Sequence, residues 1–261
     1  LMEYPHECAE QIFSRMYANT LASHIAGKYP AIRQVYNAWS ATGDDALVSN
    51  LSKNKDLKSA LLEETPWVRD AMGETQQKKD IALLFETNRL RHESQQSLDQ
   101  LRQAQMSNGG FPWFPGGRDN WYITQYILEG FGHLNKMGVA LPAGNGSDII
   151  LKAVPYIDSR MIEWYDELKK LEAKGKLKMS DLQISSMQLH YLYTRSFFSN
   201  IEHPAQIDEI NSYLREQIEK YWLQFGIYDQ GLTALASFRT WPQANVSKEI
   251  LASLRERTIV F

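Results

Sequence analysis

The chain has 261 residues, 43% of them hydrophobic and 23% charged, and a formal net charge of −3 at pH 7. That is enough for one large domain with a real core, and the interspersed charge leaves no basic footprint for nucleic acid or an anionic membrane surface. No apolar stretch is long enough to span a bilayer, and the single cysteine, Cys8, excludes an intrachain disulfide and a cysteine-rich zinc site.

Helical periodicity dominates from end to end, and no strand pattern stands out. Ile12, Met16, Leu21 and Ile25 recur at helical steps between Cys8 and Tyr29. A second helix is expected from Pro30 to Gly43, with proline at its start and glycine at its end. The stretch from Asp44 to Gly73 is polar, and Thr65-Pro66 breaks it. From Thr75 to Met106 one kinked helix or two segments are expected, with 89–96 as a solvated face.

The clearest loop runs from Asn108 to Asn120. Its glycines and prolines argue against regular structure, and the aromatics Phe111, Trp113 and Phe114 demand burial. Helices then follow at Trp121–Met137, Ser147–Lys174, Ser180–Phe198, Ala205–Phe225, Gln230–Phe238 and from Ser247 onward. Pro155 is expected in the first turns of its helix or at a kink. Gly130 and Gly132 suggest a close helix contact. Helices apolar on most faces alternate with one-sided amphipathic ones, which predicts an all-α fold of two concentric helix layers, an α/α toroid. A helical solenoid explains the same pattern.

Cys8 lies in the run Tyr4-Pro5-His6-Glu7-Cys8-Ala9-Glu10-Gln11. A thiol three residues before a glutamine at a helix start can meet its carboxamide. A helix N-terminus favours the thiolate. Attack on the carboxamide carbon expels ammonia and leaves an internal thioester, which has to be kept from water. Tyr4, Phe13, Tyr17 and the aromatics of the 111–114 loop are candidate shields.

The Tyr-Pro-x-x-Cys-x-Glu-Gln string, the helix behind it and the Gly-aromatic loop leading into Trp121 resemble the thioester domain of bacterial α2-macroglobulins. Those proteins belong with animal α2-macroglobulin and the complement thioester proteins. The resemblance implies the α/α toroid, a Cys8–Gln11 thioester, and a motif role for Glu10 with Tyr4 in support. It further implies a periplasmic or cell-surface parent, in some relatives lipid-anchored, that traps proteases and acylates their lysine amines. Such a protein is consumed in one event and is no enzyme, and no metal or cofactor is implied.

The 261 residues read as one incomplete domain of a longer chain, shielded by neighbouring macroglobulin-like domains. The thioester is expected not to survive in this piece alone. Family members commonly carry glycine just before the cysteine, where this chain has Glu7. Some complement relatives place a histidine on a later loop. The matching stretch here, 174–180, has Met179 instead, so direct transfer to amines is expected. His133 and His190 lie inside apolar helices and read as core histidines.

Two other readings compete. One is an α/α-toroid interaction scaffold without a working thioester. The other is a toroid enzyme of prenyltransferase or cyclase type. The latter needs zinc ligands or an acidic motif, and the pairs Asp44-Asp45 and Glu63-Glu64 read as surface.

Overall fold

The computed structural model describes residues 7–29, 34, 87–139 and 146–257. The expected helix from Pro30, the polar stretch 44–73, both paired carboxylates, Tyr4 and His6 lie outside the described residues. The chain divides into two compact units. One comprises Leu1–Met2, Ser14–Asp99 and Val139–Ala143; the other comprises Glu3–Phe13, Gln100–Gly138 and Gly144–Phe261.

Among the described residues there are eight α-helices: α1 Ala9–Lys28, α2 Thr87–Ala104, α3 Trp121–Lys136, α4 Ser147–Ala173, α5 Ser186–Arg195, α6 Gln206–Tyr221, α7 Ile227–Thr240 and α8 Val246–Glu256. The all-α expectation holds. In the first unit, Met16 of α1 and Leu90 and Leu98 of α2 are buried with the small residues Ser94 and Ser97. Polar pairs fix the register of the two helices: Arg15 Nε donates to Ser97 Oγ at 3.2 Å, and Asn19 Nδ2 to Glu93 Oε2 at 3.2 Å.

In the second unit, α3 packs on α4 and α5, α4 also on α5 and α6, α5 on α7, and α7 on α8. Every residue of α5 from Gln188 to Arg195 is buried. An unbroken buried run cannot be one-sided, so α5 is an interior helix. Its Tyr191 and Arg195 side chains are partnered in place, whereas the buried Thr194 Oγ1 has no hydrogen-bond partner among the described residues. Tyr191 Oη donates to Asp158 Oδ1 at 2.7 Å, Arg195 Nε donates to the same oxygen at 3.1 Å, and the Arg195 guanidinium reaches the carbonyls of Phe198 and Ile201. Burial pushes the Asp158 carboxyl up, and Arg195 opposes it. Gly132 of α3 lies where a Cβ would come within 2.5 Å of the Phe197 ring, so the close contact there is with a side chain of the turn after α5.

Four expectations need correction. The helix expected from Ser180 begins at Ser186; Met179–Asp181 forms a separate 3₁₀ turn. A capping box wins the start: Gln188 Oε1 accepts from the Ser185 N–H at 3.1 Å, and Ser185 Oγ accepts from the Met187 N–H at 3.3 Å. Pro155 lies well inside α4, on its exposed side, and the helix continues through it. The glycine-rich loop carries a two-residue antiparallel ladder, Phe111–Pro112 (β1) with Asp119–Asn120 (β2), too short to show as a sequence pattern. Of its aromatics only Phe111 is buried; Trp113 is 37% and Phe114 58% exposed. The loop turns back at Phe114, whose carbonyl accepts from the Gly117 N–H at 2.9 Å, so the ring stays on the outside.

Local bonds anchor that loop to the end of α2, to α3 and to α4. Gln105 Nε2 donates to the carbonyls of Gly109 and Ile149, at 2.9 and 3.0 Å. Thr124 Oγ1 accepts from the Phe111 N–H at 2.9 Å, and Asn120 Oδ1 caps α3 at the Ile123 N–H at 3.0 Å. Gly109 has φ +89°, and a Cβ there would lie 2.0 Å from the Lys152 carbonyl oxygen. No side chain fits that position.

Candidate functional site: the first turn of α1

Cys8 is the N-cap of α1. Its carbonyl accepts the first helical bond, from the Ile12 N–H at 3.1 Å. A helix start leaves its leading N–H groups without helical partners. Here two of them are taken up by named groups. The Cys8 N–H donates to Gln11 Oε1 at 3.1 Å, and the Ala9 N–H donates to the Trp113 carbonyl at 3.1 Å. The second bond ties the aromatic loop to the turn that carries the cysteine. Sequence reasoning did not anticipate it, because nothing in the residue pattern brings position 113 beside position 9.

The first bond brings together the two residues of the expected pair. Gln11 occupies the third helical position, from which a side chain reaches back to the cap. Its carboxamide therefore folds over the backbone of Cys8 instead of extending outward along the helix. Cys8 is 5% exposed, Ala9 3% and Phe13 2%, whereas Gln11 is exposed. The thiol-bearing residue is buried and the carboxamide-bearing one is accessible. Glu10 is partly exposed in the first turn, where a carboxylate complements the helix dipole.

Of the residues expected as shields, Phe13 is buried. Its ring meets Tyr126 edge-on at 5.8 Å and Phe131 at 5.3 Å. Tyr126 stacks on Tyr122 at 6.4 Å, and Tyr122 on Trp113 at 6.3 Å. A continuous run of rings thus joins the first turn of α1 to the loop that caps it. Phe114 is exposed, and Tyr4 lies outside the described residues.

Of the two histidines expected in the core, His190 is buried and His133 is partly exposed, and both have partners. His190 Nε2 lies 2.7 Å from Glu129 Oε2 and its Nδ1 lies 3.2 Å from Gln125 Nε2. His133 Nε2 lies 2.9 Å from Tyr193 Oη. Burial pushes the His133 imidazole down; Glu129 opposes this and Arg239 adds to it. In the 174–180 stretch Met179 is buried, and its carbonyl accepts from Tyr213 Oη at 3.0 Å. Among the described residues no group of three or more His, Cys, Asp or Glu side chains is placed to hold a metal ion, and no helix is long and apolar enough to cross a membrane.

No protein-family model, curated protein or solved structure matches this chain.

Proposed function

We propose that the chain is the thioester domain of a bacterial α2-macroglobulin-like protease trap, an α/α toroid in which Cys8 and Gln11 form an internal thioester. The observation that carries this reading is the bond from the Cys8 N–H to Gln11 Oε1 at 3.1 Å beside a buried thiol. That bond polarises the carbonyl whose carbon the sulfur attacks. As the thiolate adds, the oxygen gains negative charge and the N–H already points at it. The carboxamide nitrogen takes a proton and leaves as ammonia, and the acyl group stays on sulfur.

The ring of Phe13 and the Trp113 carbonyl hold the turn against the aromatic cluster, which limits water at the new bond. In the parent protein, cleavage of a bait segment exposes the bond. A lysine amine of the trapped protease attacks the carbon, an amide forms, and Cys8 departs as the thiol. Each chain acts once, so the protein is not an enzyme. The parent acts in the periplasm or at the cell surface, with neighbouring macroglobulin-like domains completing the shield.

The test is the intact mass of the full-length protein before and after methylamine, with thiol titration alongside. A mass short by one ammonia, then methylamine uptake with release of one thiol, supports the reading. A plain mass, a free Cys8 and no uptake refute it. One observation favours the second reading, an interaction scaffold. Ile227, Tyr228, Leu235 and Phe238 of α7 are 72, 70, 47 and 65% exposed, an apolar face that a partner would bury.

A further inference from the structure

A cleft of about 770 Å³ opens beside the first turn of α1, wholly within the second unit. It is lined by Glu7 and Ile12 on one side, Gln100, Gln103 and Met106 at the end of α2, and Pro112, Pro115 and the two glycines after it in the loop. Glu7 precedes Cys8 and Ile12 follows Gln11, so the cleft flanks the reactive pair at both ends. Gln11 is the exposed member of that pair. The cleft meets the pair through its chain neighbours Glu7 and Ile12; Cys8 and Gln11 themselves are not among the described lining residues. The apolar wall of Ile12, Met106 and the prolines suits a methylene chain. Among the described lining residues Glu7 is the one ionisable group, and the glutamines supply neutral hydrogen-bond partners.

Resting on the thioester reading, we propose that this cleft selects the acyl acceptor: a primary amine that carries a second positive charge on a short aliphatic arm, with Glu7 binding that second charge. The uncharged amine nitrogen attacks the Gln11 acyl carbon and the carbon–sulfur bond breaks. The proton lost by nitrogen ends on the Cys8 thiolate, giving an amide and a thiol. Glu7 touches only the remote cation, so it sets specificity and leaves the bond-breaking step to Cys8.

The test is competitive labelling of the full-length protein, read by intact mass. Cadaverine competes with n-pentylamine, which has the same chain and one charge. In a second arm an acetylated, amidated Lys-Arg dipeptide competes with Lys-Leu. A carboxylate at a partly exposed site favours the dication about five-fold, on top of the statistical factor of about two for cadaverine's two ends. Glu7→Gln should remove the five-fold part, Glu7→Asp should keep most of it, and high salt should remove it in the unaltered protein. Preference in the first arm identifies small diamines as the acceptor, and in the second, lysines in basic protein segments. Equal labelling by one-charge and two-charge acceptors, or preference unmoved by Glu7→Gln and salt, overturns the proposal while leaving the thioester intact. No labelling by any amine overturns the thioester reading and this proposal with it.

Discussion

Two helices of this protein start with the same geometry. At α1 the run Cys8-Ala9-Glu10-Gln11 and at α5 the run Ser185-Ser186-Met187-Gln188 each put a glutamine at the third helical position. In each, the glutamine oxygen accepts from the N–H of the cap residue at 3.1 Å. Their burial is opposite. Gln188 is buried and Ser185 exposed, whereas Cys8 is buried and Gln11 exposed. At α5 the carboxamide is part of the core and the cap is a stabilising device. At α1 the polar end is accessible and the soft nucleophile is kept from solvent. Capping geometry alone is thus no sign of chemistry; the thiol and the reversed burial set the first turn of α1 apart.

The largest expected effect separates the two turns outright. Cys8→Ser should abolish methylamine uptake while moving Tm by less than about 2 °C, because serine is a favoured N-cap. Ser185→Ala should leave uptake intact and cost about 1 kcal/mol in urea unfolding. Next comes the loop that ties Trp113 to Ala9. Gly109→Ala forces a side chain into a left-handed position against the Lys152 carbonyl, and should cost about 2–5 kcal/mol. It should also lower the fraction of chains that form the thioester, read as the share short by one ammonia.

A smaller contrast sharpens the comparison from the glutamine side. Gln188→Ala removes a buried partner and should cost about 1–2 kcal/mol. Gln11→Glu keeps an acceptor for the Cys8 N–H and should stay within about 0.5 kcal/mol of the parent, yet take up no amine.

The smallest effect is electrostatic. Burial alone would push the Asp148 carboxyl up, but the hydrogen bond and charge of Arg102, with Nε at 2.8 Å, hold it below the ordinary carboxylate range. A carboxyl lowered in the folded state contributes stability that is present above its unfolded pKa and lost as pH falls through the folded value. Asp148→Asn should therefore cost about 0.2–1 kcal/mol at neutral pH. That difference from the parent should vanish in acid.

The sequence made some of this readable and hid the rest for physical reasons. Long periodic helices such as α3 and α4 were found to within a residue or so, because their apolar spacing has no competing explanation. The start of α5 was misplaced because Ser180-Asp181 also reads as a cap, and only the partner at Gln188 decides between them. At the site, Cys8 and Gln11 were picked out by chemistry. Their capping role was also open to inspection, since Cys-x-x-Gln has the spacing of a capping box. The Trp113 carbonyl on Ala9 and the cleft at Glu7 were out of reach, because both depend on how a loop a hundred residues later folds back. Tyr4 and Glu10 remain as the resemblance proposes them, with Glu10 placed in the first turn.

The central claim is that Gln11 stores an acyl group and Gln188 does not. Peptide mapping of the full-length protein after exposure to isotopically labelled methylamine tests both in one spectrum. The account predicts a methylamide at residue 11, a newly free thiol at Cys8 and an unmodified Gln188. An unmodified Gln11 in fresh, fully folded protein, or equal labelling of both glutamines, would contradict it.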